Sequence, residues 1–66
     1  MNIVLNGHAR EIAVATTLAQ LLEAAGYGER RIAVEINRAI VPRSQYAERV
    51  LAAGDHVEIV HAIGGG

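Results

Sequence analysis

The chain has 66 residues, a formal net charge of −1 and no cysteine, which predicts one small domain without disulfides, thiolate metal sites or a nucleophilic thiol. The near-neutral charge excludes an electrostatic footprint for nucleic acid or an anionic membrane. No apolar run approaches the roughly 18 residues that span a bilayer, and residues 1–6 lack the features of a signal peptide. We therefore expect a cytoplasmic domain that binds neither nucleic acid nor membranes.

The first predicted element is a β-hairpin. Residues 2–6 alternate in the manner of a half-buried strand. Asn6-Gly7 follows, and this dipeptide favours a type I′ turn, because both central positions of that turn need a positive φ. The alternation resumes over residues 8–14, which we predict to be the second strand.

A helix is predicted next. Thr17 and Gln20 have the spacing of a capping box. Apolar residues then recur at i, i+3, i+4 and i+7, which predicts a helix of about three turns with one buried stripe: Leu18, Leu21, Leu22 and Ala25. Gly26 is placed to end the helix in the left-handed conformation.

The second half of the chain returns to strand patterns. Residues 32–37 predict a third strand with Ile32, Val34 and Ile36 on one face. Asn37-Arg38 predicts a turn, and residues 40–42 predict an edge strand or the end of a strand because Pro42 cannot donate a ladder hydrogen bond.

The remaining residues lead to a long final strand. Ser44 is predicted to cap a short helical turn that carries Tyr46 as a core residue, and residues 53–55 predict a further turn. Residues 56–63 alternate as a strand whose two faces are Val57, Ile59, His61, Ile63 and His56, Glu58, Val60, Ala62. Together these elements predict an α+β roll, a mixed four- to five-stranded sheet packed on one helix, with the final strand central beside the first.

The most distinctive segment is the end of the sequence, where the apolar run from Val60 to Ile63 passes into Gly64, Gly65 and Gly66. Three glycines resist both helix and sheet, so they predict a thin, pliable thread that ends in the α-carboxylate of Gly66. An enzyme with a narrow channel is able to thread and activate such a carboxylate. A frayed terminus is the alternative interpretation of the tail alone.

The other polar residues form no recognisable catalytic or metal-binding pattern. His8, His56 and His61 have no zinc-ligand spacing, and Glu35 and Glu58 are expected as isolated, outward carboxylates. Arg38 and Arg43 are expected to be solvated. All basic residues are arginine, so copies of this chain offer no lysine side chain as an acyl acceptor.

The order of these segments resembles the β-grasp, or ubiquitin-like, sulfur carrier proteins, most closely those of thiazole formation in thiamine biosynthesis. The resemblance covers the whole chain, residues 1–66, as one carrier domain with a flexible glycine tail. It is carried by residues 3–7, 17–22, 33–37, 40–44, 54–60 and the closing glycines. Many such carriers end in two glycines, whereas this sequence has three.

The resemblance implies a carrier that is not itself an enzyme and binds no cofactor. An E1-like adenylating enzyme would use ATP and Mg²⁺ to convert the Gly66 carboxylate to an acyl-adenylate. Sulfur from a cysteine desulfurase or a sulfurtransferase would then give a thiocarboxylate, which a thiazole synthase would consume.

The resemblance also implies roles for the neighbouring residues. Gly64 and Gly65 would pass through the partner's channel, and Val60, Ala62 and Ile63 would contact partners. Two alternatives remain open at this point: a carrier similar to the small subunit of molybdopterin synthase, and a passive ubiquitin-like interaction module.

Overall fold

The structure is a computed structural model that describes residues 1–28 and 31–61, with His61 described through its backbone. Its elements are, in chain order, strands β1 and β2, helix α1, strands β3 and β4, a 3₁₀ turn and strand β5. Their bounds are Asn2–Leu5, His8–Glu11, Leu18–Ala24, Ile32–Ile36, Ala39–Val41, Arg43–Gln45 and His56–His61.

The five strands form one mixed sheet in the order β2-β1-β5-β3-β4. β5 runs parallel to β1 and antiparallel to β3, and the two hairpins β1–β2 and β3–β4 lie on either side of it. The predicted α+β roll and the central place of the last strand beside the first are confirmed. β4 lies at an edge of the sheet, as the proline after it indicated.

One hydrophobic core lies between the inner face of the sheet and α1. The helix contributes Leu18, Leu21 and Leu22, all buried, and Tyr46 packs against this core as predicted. The sheet and the segment before β5 contribute the remaining buried apolar side chains: Ile3, Leu5, Val34, Ile36, Val41, Leu51, Val57 and Ile59.

Helix α1 begins as the sequence predicts and is shorter than expected. Thr17 caps it, with the Gln20 amide donating to Thr17 Oγ1 and the Thr17 amide donating to Gln20 Oε1. It spans seven residues, about two turns, and not three. Ala25 follows as the C-cap and Gly26 has a φ of +89°, the left-handed conformation predicted for it.

The second strand ends at Glu11, so its predicted extension to Val14 is wrong. The partner strand β1 begins at Asn2, opposite Glu11, and the amide of Ile12 donates to the carbonyl of Met1 just outside the paired strands. The chain instead turns, with Thr16 donating to the carbonyl of Ala13 through both its amide and its hydroxyl. Val14 is consequently 79% exposed.

The short turn after β4 is present, but Ser44 does not cap it. Pro42 is the N-cap, and no side chain makes the capping hydrogen bond. The proline ring fixes φ near −65°, and Pro42 has a φ of −62° with an extended ψ of 146°. Ser44 lies inside the turn, so the predicted cap was assigned two residues too late.

Leu21→Ala tests the placement of the helix. Leu21 is 1% exposed, and its truncation is expected to lower the free energy of unfolding by about 2–5 kcal/mol because it leaves a cavity in a small core. Urea denaturation measures the change. Glu23→Ala, on the exposed face of α1, is the matched control and should change stability by no more than about 0.5 kcal/mol. A loss at Leu21 as small as that of the control would contradict the assigned helix face.

Candidate functional site

The candidate site is the exit of β5 from the centre of the sheet, the strand that leads to the glycine tail. Val57 and Ile59 point into the core, while His56, Glu58 and Val60 are exposed on the outer face. β3 pairs with β5 along its whole length, from Ile36 opposite Val57 to Ile32 opposite His61. Residues 57–61 are therefore held in a fixed direction by the sheet.

The predicted site residues divide between described and undescribed parts of the chain. Val60 lies on the outer face, 51% exposed and directly opposite Ala33 of β3. This position is compatible with its predicted contact to partners, which stays a prediction. Ala62, Ile63 and the glycines at 64–66 lie outside the described residues.

The outer face near Val60 combines apolar and acidic groups. Glu35 of β3 lies directly opposite Glu58 of β5 on one side and Ile40 of β4 on the other. The two carboxylates are thus neighbours across strands, which corrects the prediction that each is isolated. Directly opposed like charges are unfavourable in a sheet. Ile40 is 72% exposed, so the face also presents an uncovered aliphatic side chain.

Two asparagine side chains accept hydrogen bonds from backbone amides of β5. Asn6 Oδ1 accepts from the amide of Ile59 at 2.7 Å, and Asn37 Oδ1 accepts from the amide of His56 at 2.9 Å. Both asparagines occupy the first central position of a hairpin turn, with φ values of 49° and 51°. Sequence reasoning assigned them to turns only and missed this second role. The sequence feature that indicates this role is the asparagine at each turn, because asparagine tolerates a positive φ and its short side chain also supplies a hydrogen-bond acceptor.

A buried carboxylate fixes one of these asparagines. Asp55 is 8% exposed; its Oδ1 accepts from Asn37 Nδ2 at 3.0 Å and its Oδ2 accepts from the amide of Ala52 at 2.8 Å. Both oxygens therefore have partners, as a buried carboxylate requires. Because the side-chain nitrogen Nδ2 of Asn37 donates to Asp55, the side-chain oxygen Oδ1 of Asn37 is oriented towards β5 as an acceptor.

Among the described residues, no group of His, Cys, Asp or Glu is arranged to hold a metal ion. A depression beside the outer face is lined by Asn37, Arg38, His56 and Glu58. All of these residues are exposed, so the depression is open to water. Within residues 1–28 and 31–61, no helix is long and apolar enough to cross a membrane.

The fold and the exit of its last strand define a ubiquitin-like β-grasp domain. A family model described as "ThiS family" matches residues 3–66, and the chain belongs to this family. It is 35% identical, over all 66 residues and the full length of the relative, to the sulfur carrier protein ThiS of Escherichia coli. The crystal structure of the thiamine biosynthesis protein ThiS from Geobacter metallireducens superposes with a TM-score of 0.88 at 28% identity, covering 100% of both chains.

Two longer relatives contain a matching segment. Thiazole synthases of Magnetococcus marinus and Paramagnetospirillum magneticum are each 44% identical to this chain over its 66 residues. The chain spans only 20% of the length of either relative.

Paired glycine substitutions test the second role of Asn6. Asn6→Gly keeps a residue that adopts positive φ but removes the acceptor of the Ile59 amide, so we expect a loss of about 1 kcal/mol in the free energy of unfolding. Arg38→Gly is the matched control, because Arg38 has a φ of 70° at the second position of the other turn. Relief of that left-handed strain should stabilise by up to about 1 kcal/mol. Equal effects at the two positions in urea denaturation would mean that only turn conformation matters.

Proposed function

We propose that this chain is a sulfur carrier protein that serves thiazole formation in thiamine biosynthesis, with Gly66 as the modified residue. The observation that supports this most is the extent of the family match, which runs through residue 66 and so includes the glycine tail. The relative that matches over its full length is named a sulfur carrier protein. Both longer relatives are named thiazole synthases, which favours the thiazole branch over the molybdopterin branch.

The proposed chemistry begins with activation of the tail. A carboxylate is a poor acyl donor, because its leaving group would be oxide or hydroxide. Attack of a Gly66 carboxylate oxygen on the α-phosphorus of ATP, with release of pyrophosphate, replaces that leaving group with AMP. The outer sulfur of a persulfide on a partner would then attack the carbonyl carbon, and AMP would depart to leave an acyl disulfide. A thiol of a partner would cleave the S–S bond, become oxidised to a disulfide and release the thiocarboxylate.

This chain would supply the carboxylate that carries the sulfur, and its partners would supply the catalysis. An E1-like adenylating enzyme would hold ATP and Mg²⁺, and a cysteine desulfurase or a sulfurtransferase would provide sulfur. Because the chain has no cysteine, any persulfide or thioester must form on a partner's thiol. Thiazole synthase would accept the sulfur. These partners and ATP would place the carrier in the cytoplasm.

The described part of the chain contributes a rigid support for the tail. Gly64 and Gly65 lack side chains and would thread the partner's channel, while Val60, Ala62 and Ile63 would contact the partner beside it. Val60 and Ile40 are exposed on the same outer face. Burial of such aliphatic side chains against a partner contributes to affinity in proportion to the area that is removed from water.

Intact-protein mass spectrometry tests the proposed function. The chain ending at Gly66 is incubated with ATP, Mg²⁺, an E1-like adenylating enzyme and a sulfur source. We expect a mass gain equal to the exchange of one oxygen for one sulfur, localised to Gly66 by fragmentation. An unmodified mass, with the enzyme shown to be active on a known carrier, would favour the passive interaction module.

A variant with one residue appended after Gly66 is the control for that experiment. It should fold with unchanged stability and lose ATP–pyrophosphate exchange, because the reactive carboxylate is displaced from the enzyme's active centre. Normal exchange by this variant would contradict the carrier proposal.

Val60→Ala tests the predicted contact beside the tail. Loss of its buried methyl groups should weaken binding to the adenylating enzyme by about 1 kcal/mol, about fivefold in Kd. Val14→Ala removes the same groups from an exposed site on the loop before α1 and should leave Kd unchanged. Titration calorimetry gives both values, and urea denaturation shows whether either variant is destabilised. Equal Kd values for the two variants would remove Val60 from the interface.

A further inference from the structure

The backbone groups of β5 point alternately to its two neighbours. The amide of Asn37 donates to the carbonyl of His56 at 2.8 Å, on the β3 side, and the amide of Asn6 donates to the carbonyl of Val57 at 2.9 Å, on the β1 side. The backbone N–H and C=O groups of successive residues point to opposite sides of a strand. Those of Glu58 and Val60 therefore point towards β3, and those of Ile59 and His61 point to the side of β1.

β1 does not extend beside the end of β5. Its pairing with β5 is limited to Val4 opposite His56 and Leu5 opposite Val57, after which the chain turns into β2. The amide of Ile59 is satisfied by the side chain of Asn6. Beyond this point the carbonyl of Ile59 and the backbone groups of His61 face a side on which no strand of residues 1–28 and 31–61 runs.

We propose that this open edge, the β1 side of residues 59–61, receives an extended backbone segment of the adenylating partner. An added strand would donate to the Ile59 carbonyl and accept from the His61 amide, as in strand addition to other sheet edges. Asn6 closes one end of the edge and so fixes the register of the added strand. This inference rests on the proposed function.

The open edge lies next to the tail, which favours the enzyme that activates the tail as the protein that binds there. The edge ends at His61, and the residues that lead to Gly66 follow directly. An enzyme that holds the Gly66 carboxylate must contact the chain close to this point. Hydrogen bonds to the backbone of residues 59–61 would align the tail with the enzyme's channel independently of the side chains.

N-methylation of single backbone amides tests the inference on the full chain. A synthetic segment of residues 53–66, ligated through a cysteine at position 53 that is then desulfurised to Ala53, carries the modified amide. N-methylation at His61 removes a donor on the open side, so the folded state should keep its stability. Affinity for the adenylating enzyme used above should fall at least about fivefold, because one hydrogen bond is lost and the methyl group obstructs the edge. N-methylation at Val60, on the β3 side, is the control and should lower the urea midpoint.

Each outcome of this experiment is informative. Unchanged affinity after methylation at His61 overturns the inference, as does a loss of stability equal to that at Val60, which would show that the His61 amide is already bonded within the domain. A methylation-sensitive dimer with unchanged enzyme affinity would make a second copy of this chain the occupant and also overturn the inference. If the unmodified chain is not adenylated, both the proposed function and this inference are overturned. If it is adenylated and methylation at His61 leaves the affinity for the enzyme unaltered, only the inference about the open edge is overturned.

Discussion

The structure depends on the place of β5 between two hairpins, neither of which pairs with every residue of β5. β1 pairs with only the beginning of β5, and β3 ends one residue before it would meet His56. A buried or half-buried backbone group without a partner costs free energy comparable to a lost hydrogen bond. Asn6 and Asn37 remove this cost from opposite sides with their side-chain oxygens. The two turns are therefore part of the ladder of the central strand as well as connections between strands.

The local elements were predictable because their signals lie within a few residues. The Asn6-Gly7 turn, the Thr17 cap and the alternation of β3 and β5 each follow from short-range chemistry. The end of β2 was not predictable in this way, because it is set by the length of β1 and not by the pattern up to Val14. The Ser44 cap failed because Pro42, with its fixed φ, already begins the turn.

Long-range relations account for what sequence reasoning missed at the candidate site. The pairing of Glu35 with Glu58 and the hydrogen bond from the Ile59 amide to Asn6 depend on strand register. Local patterns of charge or hydrophobicity do not predict that register. Val60 was predicted on the outer face because alternation along one strand is sufficient for that. The proposed chemistry of the tail was inferred from its three glycines and from the resemblance to sulfur carriers.

The place of β5 in the sheet also has a consequence for biosynthesis. Without residues 56–61, the two hairpins have no common neighbour, and isolated hairpins are marginal in water. The domain must close a loop between its first and last strands, a contact of high sequence separation that slows folding. During synthesis, the native sheet is therefore completed only after the last strand has left the ribosome. A chain that stops before residues 56–61 would lack the strand that joins the two hairpins, so it would not form the stable domain.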